Sequence, residues 1–553
     1  MMRSLASAAT ALRQVFANPD IRRAQLAWMT GWAAEWAWLV ALLVYAHAAG
    51  GVLAVGLLGL ARTLPAAILA PALSTLTDRL PRHRVLLGVH AGRATLIGLA
   101  AWSALAGWSP LVVFAIAPLD GLLAVLHRPT HMSLMPALAR APEELVAGNV
   151  ASSTLEAIGT LVGPAIGGGL VATGLTSLTF AVPASAFALA ALAVAGVRPA
   201  QGVRVDRGRP GPVGLLLGGV STLADHPHAA LLLGLFGLQT LVRGSLSVLL
   251  VVAAVELLAI GEQGVGYLNA TLGAGGFAGA LAAMSLVGRR RLAPPVFLGL
   301  VLWGVPIVAM GLLPAVGVAL LALATVGAGN AVLDVAGFSL LQRSVPNAVR
   351  GRVFGVLEAI AMLTVGLGSA AAPLLVAAFG VRGALIATGL LLPVAAVLAW
   401  PQVRRADERA VIPARELALL RGVPMFGLLP LTVLEQVAGD VVASSFAPGT
   451  TIIRQGEGGD RFYVLAGGEA VASVDGTQVR RMRAGDWFGE IALLRDVPRT
   501  ATVTAATVVH VLALEREAFV AAVTGDRAST RAAEGVIEER LSVSRPETRA
   551  PPR

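Results

Sequence analysis

For about 400 residues the chain is written as long apolar runs, separated by short loops rich in arginine or in glycine and proline. A run of roughly 20 apolar residues spans the hydrocarbon layer as one helix. Twelve such spans are predicted, at 24–49, 52–76, 84–106, 109–127, 149–173, 176–197, 229–258, 264–287, 294–313, 316–339, 353–379 and 382–400. The first follows Arg22 and Arg23 and contains Ala46-His47-Ala48, which mimics a signal-peptidase site. Its length, Glu35 and four tryptophans mark it instead as a first membrane helix. Residues 5–17 before it read as a short surface helix.

After residue 400 the pattern turns polar and mixed. Residues 401–412 form a charged linker and 413–441 read as helical. Six short β-like runs follow: Phe446 to Ile453, Arg461 to Leu465, Ala470 to Val474, Gln478 to Arg483, Ala501 to Ala505 and Val508 to Leu514. Glycine-rich turns between them predict a small barrel or jelly roll. Glu515 to Val523 and Ala528 to Leu541 read as closing helices. The expected domains are a cytoplasmic segment (1–23), a membrane unit (24–400, its halves 24–197 and 229–400 joined by a linker at 198–228), the linker 401–412, a soluble domain (413–541) and a tail (542–553).

Charge orients the membrane half. Loops predicted inside carry Arg79, Arg82, Arg84, Arg128, Arg140, Arg198, Arg204, Arg207, Arg209, Arg289, Arg290, Arg291, Arg343, Arg350 and Arg352, while those outside carry only Arg382. By the positive-inside rule both termini and the soluble domain are cytoplasmic, in the inner or plasma membrane. The halves also look duplicated. Leu155-Glu156-Ala157-Ile158 opens span five and Leu357-Glu358-Ala359-Ile360 occupies the matching place in span eleven. Asp120, Arg128 and Pro136 precede the first in the order in which Asp334, Arg343 and Pro346 precede the second. The fold class expected is thus an α-helical membrane protein of twelve transmembrane helices in two six-helix repeats, followed by an α+β domain built on a β jelly roll or barrel.

Composition narrows the chemistry. At 553 residues, 56% hydrophobic and 13% charged, the chain is too apolar to be soluble throughout. The net charge of +10 is carried by arginine, since no lysine occurs. Cysteine is absent, which excludes disulfides and thiolate metal sites. No catalytic triad, metal-ligand cluster or P-loop is visible and the histidines and aspartates are scattered, so neither an enzyme nor a metal or catalytic cofactor is expected. About a dozen residues follow the last helix, too few for a helix-turn-helix, and no nucleic-acid partner is expected.

Ionisable groups inside a bilayer are costly and mark pathways or pairs. The candidates here are Glu35, Asp120, Glu156, Asp334 and Glu358, with Arg62, Arg93 and Arg243 as partners. Glu35 and Arg243 fall at similar depths in spans one and seven. In the soluble half, 488–503 combines a glycine-started turn with Glu490 and, nine residues on, Arg499. Backbone N–H groups at such a turn face an anion. A carboxylate can accept from ribose hydroxyls, and a guanidinium fork grips phosphate oxygens. The stretch reads as a cradle for a cyclic phosphate.

These residues carry two family resemblances. Ser74-x-x-x-Asp78-Arg79-x-Pro81-Arg82-His83-Arg84 resembles the signature loop of the major facilitator superfamily, with serine and proline replacing its usual glycines. The mirror loop retains Gly288-Arg289-Arg290-Arg291. Gly159-x-x-x-Gly163-Pro164-x-x-Gly167-Gly168 matches that family's antiporter motif, and Pro136, Asn149 and Gly351-Arg352-Val353 are similar to siderophore and macrolide exporters. The resemblance implies proton-coupled export of a small molecule, a central cavity beside spans one and seven, and inward-gate roles for Asp78, Arg79 and Arg82. Glu156 and Glu358 are expected to pair with loop arginines.

Residues 415–541 resemble the cyclic nucleotide-binding domain of bacterial catabolite regulators and cyclic-nucleotide-dependent kinases. Gln455-Gly456-Glu457, Asp460-x-Phe462-Tyr463-Val464 and Gly485-Asp486-x-Phe488-Gly489-Glu490 carry that likeness. It implies a site of Gly489, Glu490, Ile491, Ala492, Arg499 and Thr500 for cAMP or cGMP. Thr500 is the residue type that accompanies cGMP in the eukaryotic kinases, and a base cap is expected from Val536 or Ile537. The expected function is a cyclic-nucleotide-regulated exporter; the alternative is a membrane-anchored sensor or scaffold whose facilitator half no longer transports.

Overall fold

A computed structural model of the chain describes residues 17–543, apart from 140–141, 199–222, 224–225, 287–288, 290, 346, 410–413, 428, 430 and 525–526. Expectations for 1–16, most of the 198–228 linker, Arg140, Arg290, Pro346 and the tail from 544 fall outside these residues. The chain divides into two compact units, Met1–Arg409 and Ala410–Arg553.

The first unit is helical: α1 (Pro19–Arg79), α2 (Arg82–Leu105), α3 (Leu111–Leu138), α4 (Pro142–Val171), α5 (Thr176–Ala195), α6 (Pro227–Val252), α7 (Gly264–Ala283), α8 (Ala293–Leu312), α9 (Val316–Ser344) and α10 (Asn347–Arg409). A five-residue π-helical turn, Ala253–Leu257, extends α6. Nine of the described helices are long and apolar enough to cross a membrane. Two of them need bends. α1, of 61 residues, breaks at Gly50–Gly51, where Gly51 has φ 64° and ψ −157°. α10, of 63 residues, breaks at Gly380 with φ 67° and ψ 175°. Only glycine adopts such angles without strain, so each long helix serves as two spans. With α7, whose six glycines dilute its hydropathy, the described residues supply twelve crossings.

Small residues set how closely these helices pack. On α4, Gly159, Gly163 and Gly167 lie one turn apart against α1. A methyl group on Gly163 would stand 2.6 Å from the Ala33 carbonyl oxygen and 2.7 Å from Trp36 Cβ. Gly168 faces α7 instead, 2.9 Å from Gly266 Cα by the same measure. The antiporter-like motif is therefore a two-sided packing stripe joining α4 to its own half and to the other. The halves meet again where Gly56 and Gly59 of α1 approach Pro373 and Ser369 of α10, and where Gly366 approaches Thr63. These contacts lie in the portions of the helices nearest the Gly50–Gly51 and Gly380 bends. Gly163→Val should cost about 1–3 kcal/mol through overpacking and lower the melting temperature of the purified protein. Gly169→Val, where nothing lies within 4 Å, should leave it nearly unchanged.

The expected linker 401–412 requires correction. Residues 401–409 continue α10 because their charges are used: Arg404 Nε donates to Glu408 one turn on at 2.9 Å. Asp407, 3% exposed, accepts from Leu292 N at 2.9 Å and Ala293 N at 3.1 Å, capping the start of α8. Glu408 lies 3.8 Å from Arg291.

The second unit opens with three short helices, α11 (Ala414–Arg421), α12 (Pro424–Gly427) and α13 (Leu431–Gly439). Two four-stranded antiparallel sheets follow. Their strands are β1 (Val442–Phe446), β2 (Thr451–Ile453), β3 (Arg461–Gly467), β4 (Ala470–Val474), β5 (Thr477–Met482), β6 (Trp487–Phe488), β7 (Thr502–Ala505) and β8 (Val509–Glu515). One sheet orders them β1-β8-β3-β6, the other β2-β7-β4-β5. The expected strand Phe446–Ile453 is two strands, because the chain turns between them at Gly449, φ 82°. The β4–β5 hairpin turns on Asp475 and Gly476, both at positive φ, as a two-residue hairpin loop requires. α14 (Glu490–Arg495) interrupts the sheets, and α15 (Arg516–Thr524) and α16 (Arg527–Val543) close the unit.

Strands β3 and β8 are buried on both faces, and their alternation sorts side chains into two cores. Tyr463, Leu465, Val511 and Ala513 fill the barrel. Phe462, Val464, Leu512 and Leu514 face the helices, where Phe462 stacks on Phe519 at 4.6 Å and Phe426 packs edge-on against both.

Candidate functional site

In the second unit the residues of 488–503 form one wall of a cavity of about 430 Å³, within the size of small-molecule pockets. Gly489 turns the chain at φ 96° and α14 begins at the next residue. A side chain on Gly489 would lie 2.7 Å from Arg499 Nη1 and 2.9 Å from the Arg461 carbonyl oxygen, so the arginine itself requires glycine there. Glu490, Ala492 and Arg499 are almost fully buried yet line the cavity.

Arg499 is held from several directions. Its backbone N–H donates to Glu457 O at 2.8 Å, and its carbonyl accepts from Gly456 N at 2.9 Å. Nη1 donates to Gly489 O at 3.2 Å and Nη2 to Arg461 O at 2.8 Å. Asp460, which is solvent-exposed, approaches Nη2 at 3.3 Å. Gly459 leaves room for this: a methyl there would meet Ala492 Cβ at 2.8 Å. The guanidinium is thus preorganised beside the cavity, with its charge met on one side by a carboxylate that water also reaches.

The rest of the cavity lining is largely apolar. Ile453, Ala472, Val474, Met482 and Val503 come from the second sheet, with Ile491 and Thr500 at the cassette. Val536 of α16 also lines it, whereas Ile537 is buried in the interior, so of the two expected caps only Val536 reaches the space. Below the cavity, Tyr463 stacks on Phe488 at 5.0 Å, and burial raises its phenol above the ordinary tyrosine range. Arg461, whose carbonyl accepts from Arg499, is raised from the usual value by its hydrogen bond to Glu515.

The first unit brings four charges together at mid-helix. Arg62 of α1 reaches Glu35 at 2.5 Å and Asp120 at 3.1 Å. Arg93 of α2 reaches Asp120 at 2.7 Å and also pairs with Glu35. Trp38 Nε1 donates to Asp120 Oδ2 at 3.0 Å. Two guanidinium groups and two carboxylates balance, and Arg93 also lies 4.2 Å from the Phe187 ring centroid. The juxtaposition of Glu35 with Arg243 is not formed. Both oxygens of Glu35 are engaged within its own half, by Arg62 and Arg93.

Among the other candidates, Glu156 lies 3.8 Å from Arg128, and Glu358 is exposed. Asp334 accepts from Asn330 Nδ2 at 2.8 Å, and Trp303 and Gln239 donate to the same asparagine's oxygen. Repeat-related Asp120 and Asp334 therefore have unlike surroundings. Arg82 donates to Ser133 O at 2.9 Å, tying α2 to α3; Asp78 and Arg79 end α1, and their side chains are outside the description. The histidines are not scattered in space, since His90, His127 and His131 gather in the interior of the first half. Their i, i+4 spacing on α3 was the available signal.

Residues 232–459 match the Major Facilitator Superfamily model and residues 443–526 match that of the cyclic nucleotide-binding domain. The chain thus carries a match to the facilitator family followed by a match to the cyclic nucleotide-binding domain. The latter is 39% identical over 102 residues to a cAMP-dependent protein kinase regulatory subunit of Yarrowia lipolytica, covering 18% of this chain and 27% of that protein. It is 37% identical over 98 residues to a cGMP-dependent protein kinase of Toxoplasma gondii, covering 18% of this chain and 10% of that one. The chain thus spans about a quarter or less of these relatives. A solved structure of the regulatory domain of Toxoplasma gondii PKA with cAMP aligns at 27% identity and TM-score 0.22, over 27% of this chain and 55% of that one. The cassette lies inside the nucleotide-binding match. The facilitator match covers the second half and continues past Arg409, where the helical unit ends. The four-charge cluster lies in the first half, N-terminal to that match.

Proposed function

We propose that this protein is a secondary transporter of small molecules whose flux is set by cAMP or cGMP bound to its C-terminal domain, and that it works by binding and transport rather than catalysis. The observation that carries this reading is the preformed cavity in which Arg499 and Glu490 stand buried on either side of Gly489. A buried guanidinium with a free approach to a cavity is matched by an anion of fixed geometry, and a cyclic phosphate with its ribose meets the acid and the base together.

Direction and coupling rest on less local features. Fifteen loop arginines against one favour cytoplasmic termini. Close packing of the halves near the Gly50–Gly51 and Gly380 bends supports a state closed at its outer end, which would accept cargo from inside. The intramembrane acids supply groups through which inward proton flow would drive export. Regulation needs only differential affinity for two transporter states: about 1.4 kcal/mol shifts the population tenfold.

Reconstitution in liposomes with trapped pyranine tests the reading. A macrolide or a catecholate siderophore supplied to the C-terminal-domain side should elicit proton movement that changes several-fold with cAMP or cGMP. Nucleotide binding without any cargo-elicited proton movement would favour the sensor or scaffold.

A further inference from the structure

Three buried histidines stand beside the four-charge cluster with most of their ring nitrogens unused. His90 lies on α2, and His127 and His131 lie one turn apart on α3. The His90 and His127 rings are 4.9 Å apart and T-shaped. Trp28 of α1 is stacked on His131 at 4.1 Å and lies 4.8 Å from His127. Neither nitrogen of His90 has a hydrogen-bond partner among the described residues, and the same holds for His127 Nε2, His131 Nδ1 and the neighbouring Thr130 hydroxyl. His131 Nε2 alone is shown bonded, to Ser152 Oγ at 3.2 Å. Such buried orphans are costly, and a helical bundle could fill the same space with leucine.

Packing has made room for these rings. A methyl on Gly31 would stand 3.0 Å from Cε1 of both His90 and His127. Charged and titratable groups facing the trio are few. From α2 comes Arg93, one turn beyond His90, with its Nη1 also without a partner among the described residues. Through Arg93 come Asp120 of α3, and Glu35 and Arg62 of α1. Ser152 represents α4 and Phe187 represents α5, 6.1 Å from His90. Arg128 follows His127 in sequence but turns to the exposed side toward Glu156.

Geometry narrows the ligand. Trp28 contacts both His127 and His131 and holds those rings apart, and no group of three ligating side chains suited to a metal occurs among the described residues. What imidazoles can bind without converging is a proton. We propose that His90, His127 and His131 form one proton-loading site in the first half of the transporter. A proton from water adds to one free ring nitrogen of the trio, its charge disfavours a second, and it returns to water when the site empties. The indole face of Trp28, stacked on His131, receives the cation. Its charge competes with Arg93 for Glu35 and Asp120, so loading favours a state in which the four-charge cluster has opened. The inference rests on the transporter reading and names its coupling group.

The test needs no cargo, so its failure is distinct from failure of transport. Full-length protein labelled with ring-¹⁵N histidine is placed in lipid nanodiscs, and the imidazole shifts are followed between about pH 9 and pH 4.5. Expected is one shared protonation step for the three rings, apart from the other five histidines. His127→Asn should move the step of the remaining two by about one pH unit, as coupled sites do. His131→Asn provides the same comparison if the first variant does not fold. Three rings that stay neutral throughout, or that titrate separately and ignore each other's removal, would overturn the proposal. Should the shared step appear in a protein that moves no cargo, the site stands and the transporter reading falls.

Discussion

Replacing Arg499 with glutamate should remove cyclic nucleotide binding altogether. The side chain is 3% exposed and already fixed by two carbonyls and Asp460, so little ordering entropy remains to be lost when phosphate arrives. Truncating one member of a buried charge pair costs about 2–5 kcal/mol, or roughly 30- to 4,000-fold in Kd. Glutamate adds repulsion between its carboxylate, the phosphate and Asp460. Arg499→Lys separates charge from shape: it keeps the cation but loses the planar fork, and should fall between wild type and Arg499→Glu. Calorimetry of the full-length protein in nanodiscs with cAMP and with cGMP measures both. Wild-type affinity in Arg499→Glu would show that the cavity is not where nucleotide binds.

The second large effect is expected at Asp120. This carboxylate is fully buried and accepts from Arg62, Arg93 and Trp38. Asp120→Ala leaves two guanidinium groups sharing Glu35 alone. Removing one partner from a buried ionic group typically costs about 3–5 kcal/mol, because the remaining charge stays desolvated. The variant should express poorly or melt well below wild type by fluorescence-detected size exclusion. Adding Arg62→Met, which removes the surplus cation, should restore part of the loss. A melting temperature equal to wild type in Asp120→Ala would mean that the cluster contributes nothing to the fold.

These two sites differ in how far a reader of the sequence can see them. The nucleotide cassette is contiguous, so Gly489, Glu490 and Arg499 are visible at fixed spacing. Likewise the spans announce themselves through length and hydropathy, because an apolar helix satisfies its backbone in lipid within one continuous segment. The four-charge cluster draws on two limbs of one bent helix and two further helices. Glu35, Arg62, Arg93 and Asp120 are each noticeable, but order along the chain does not say which acid meets which base. Depth alone suggested Arg243 for Glu35, and depth is shared by many residues. The histidines failed a different test: 37 residues separate His90 from His127, and only packing against Gly31 and Trp28 unites them. Residues 401–409 misled for a third reason. Charge density suggested a linker, whereas Arg404, Asp407 and Glu408 are spent on a helix and its neighbour.

That neighbour matters beyond local stability. Asp407 holds the first turn of α8 through two backbone N–H groups, and Arg291 stands close to Glu408. The end of α10 is thus riveted to a helix that begins more than 100 residues earlier. A displacement delivered at Arg409 cannot swing the last span by itself; it loads two members of the second half together, as a crank turns a paired linkage. Two successive carboxylates, Asp407 and Glu408, make that tie.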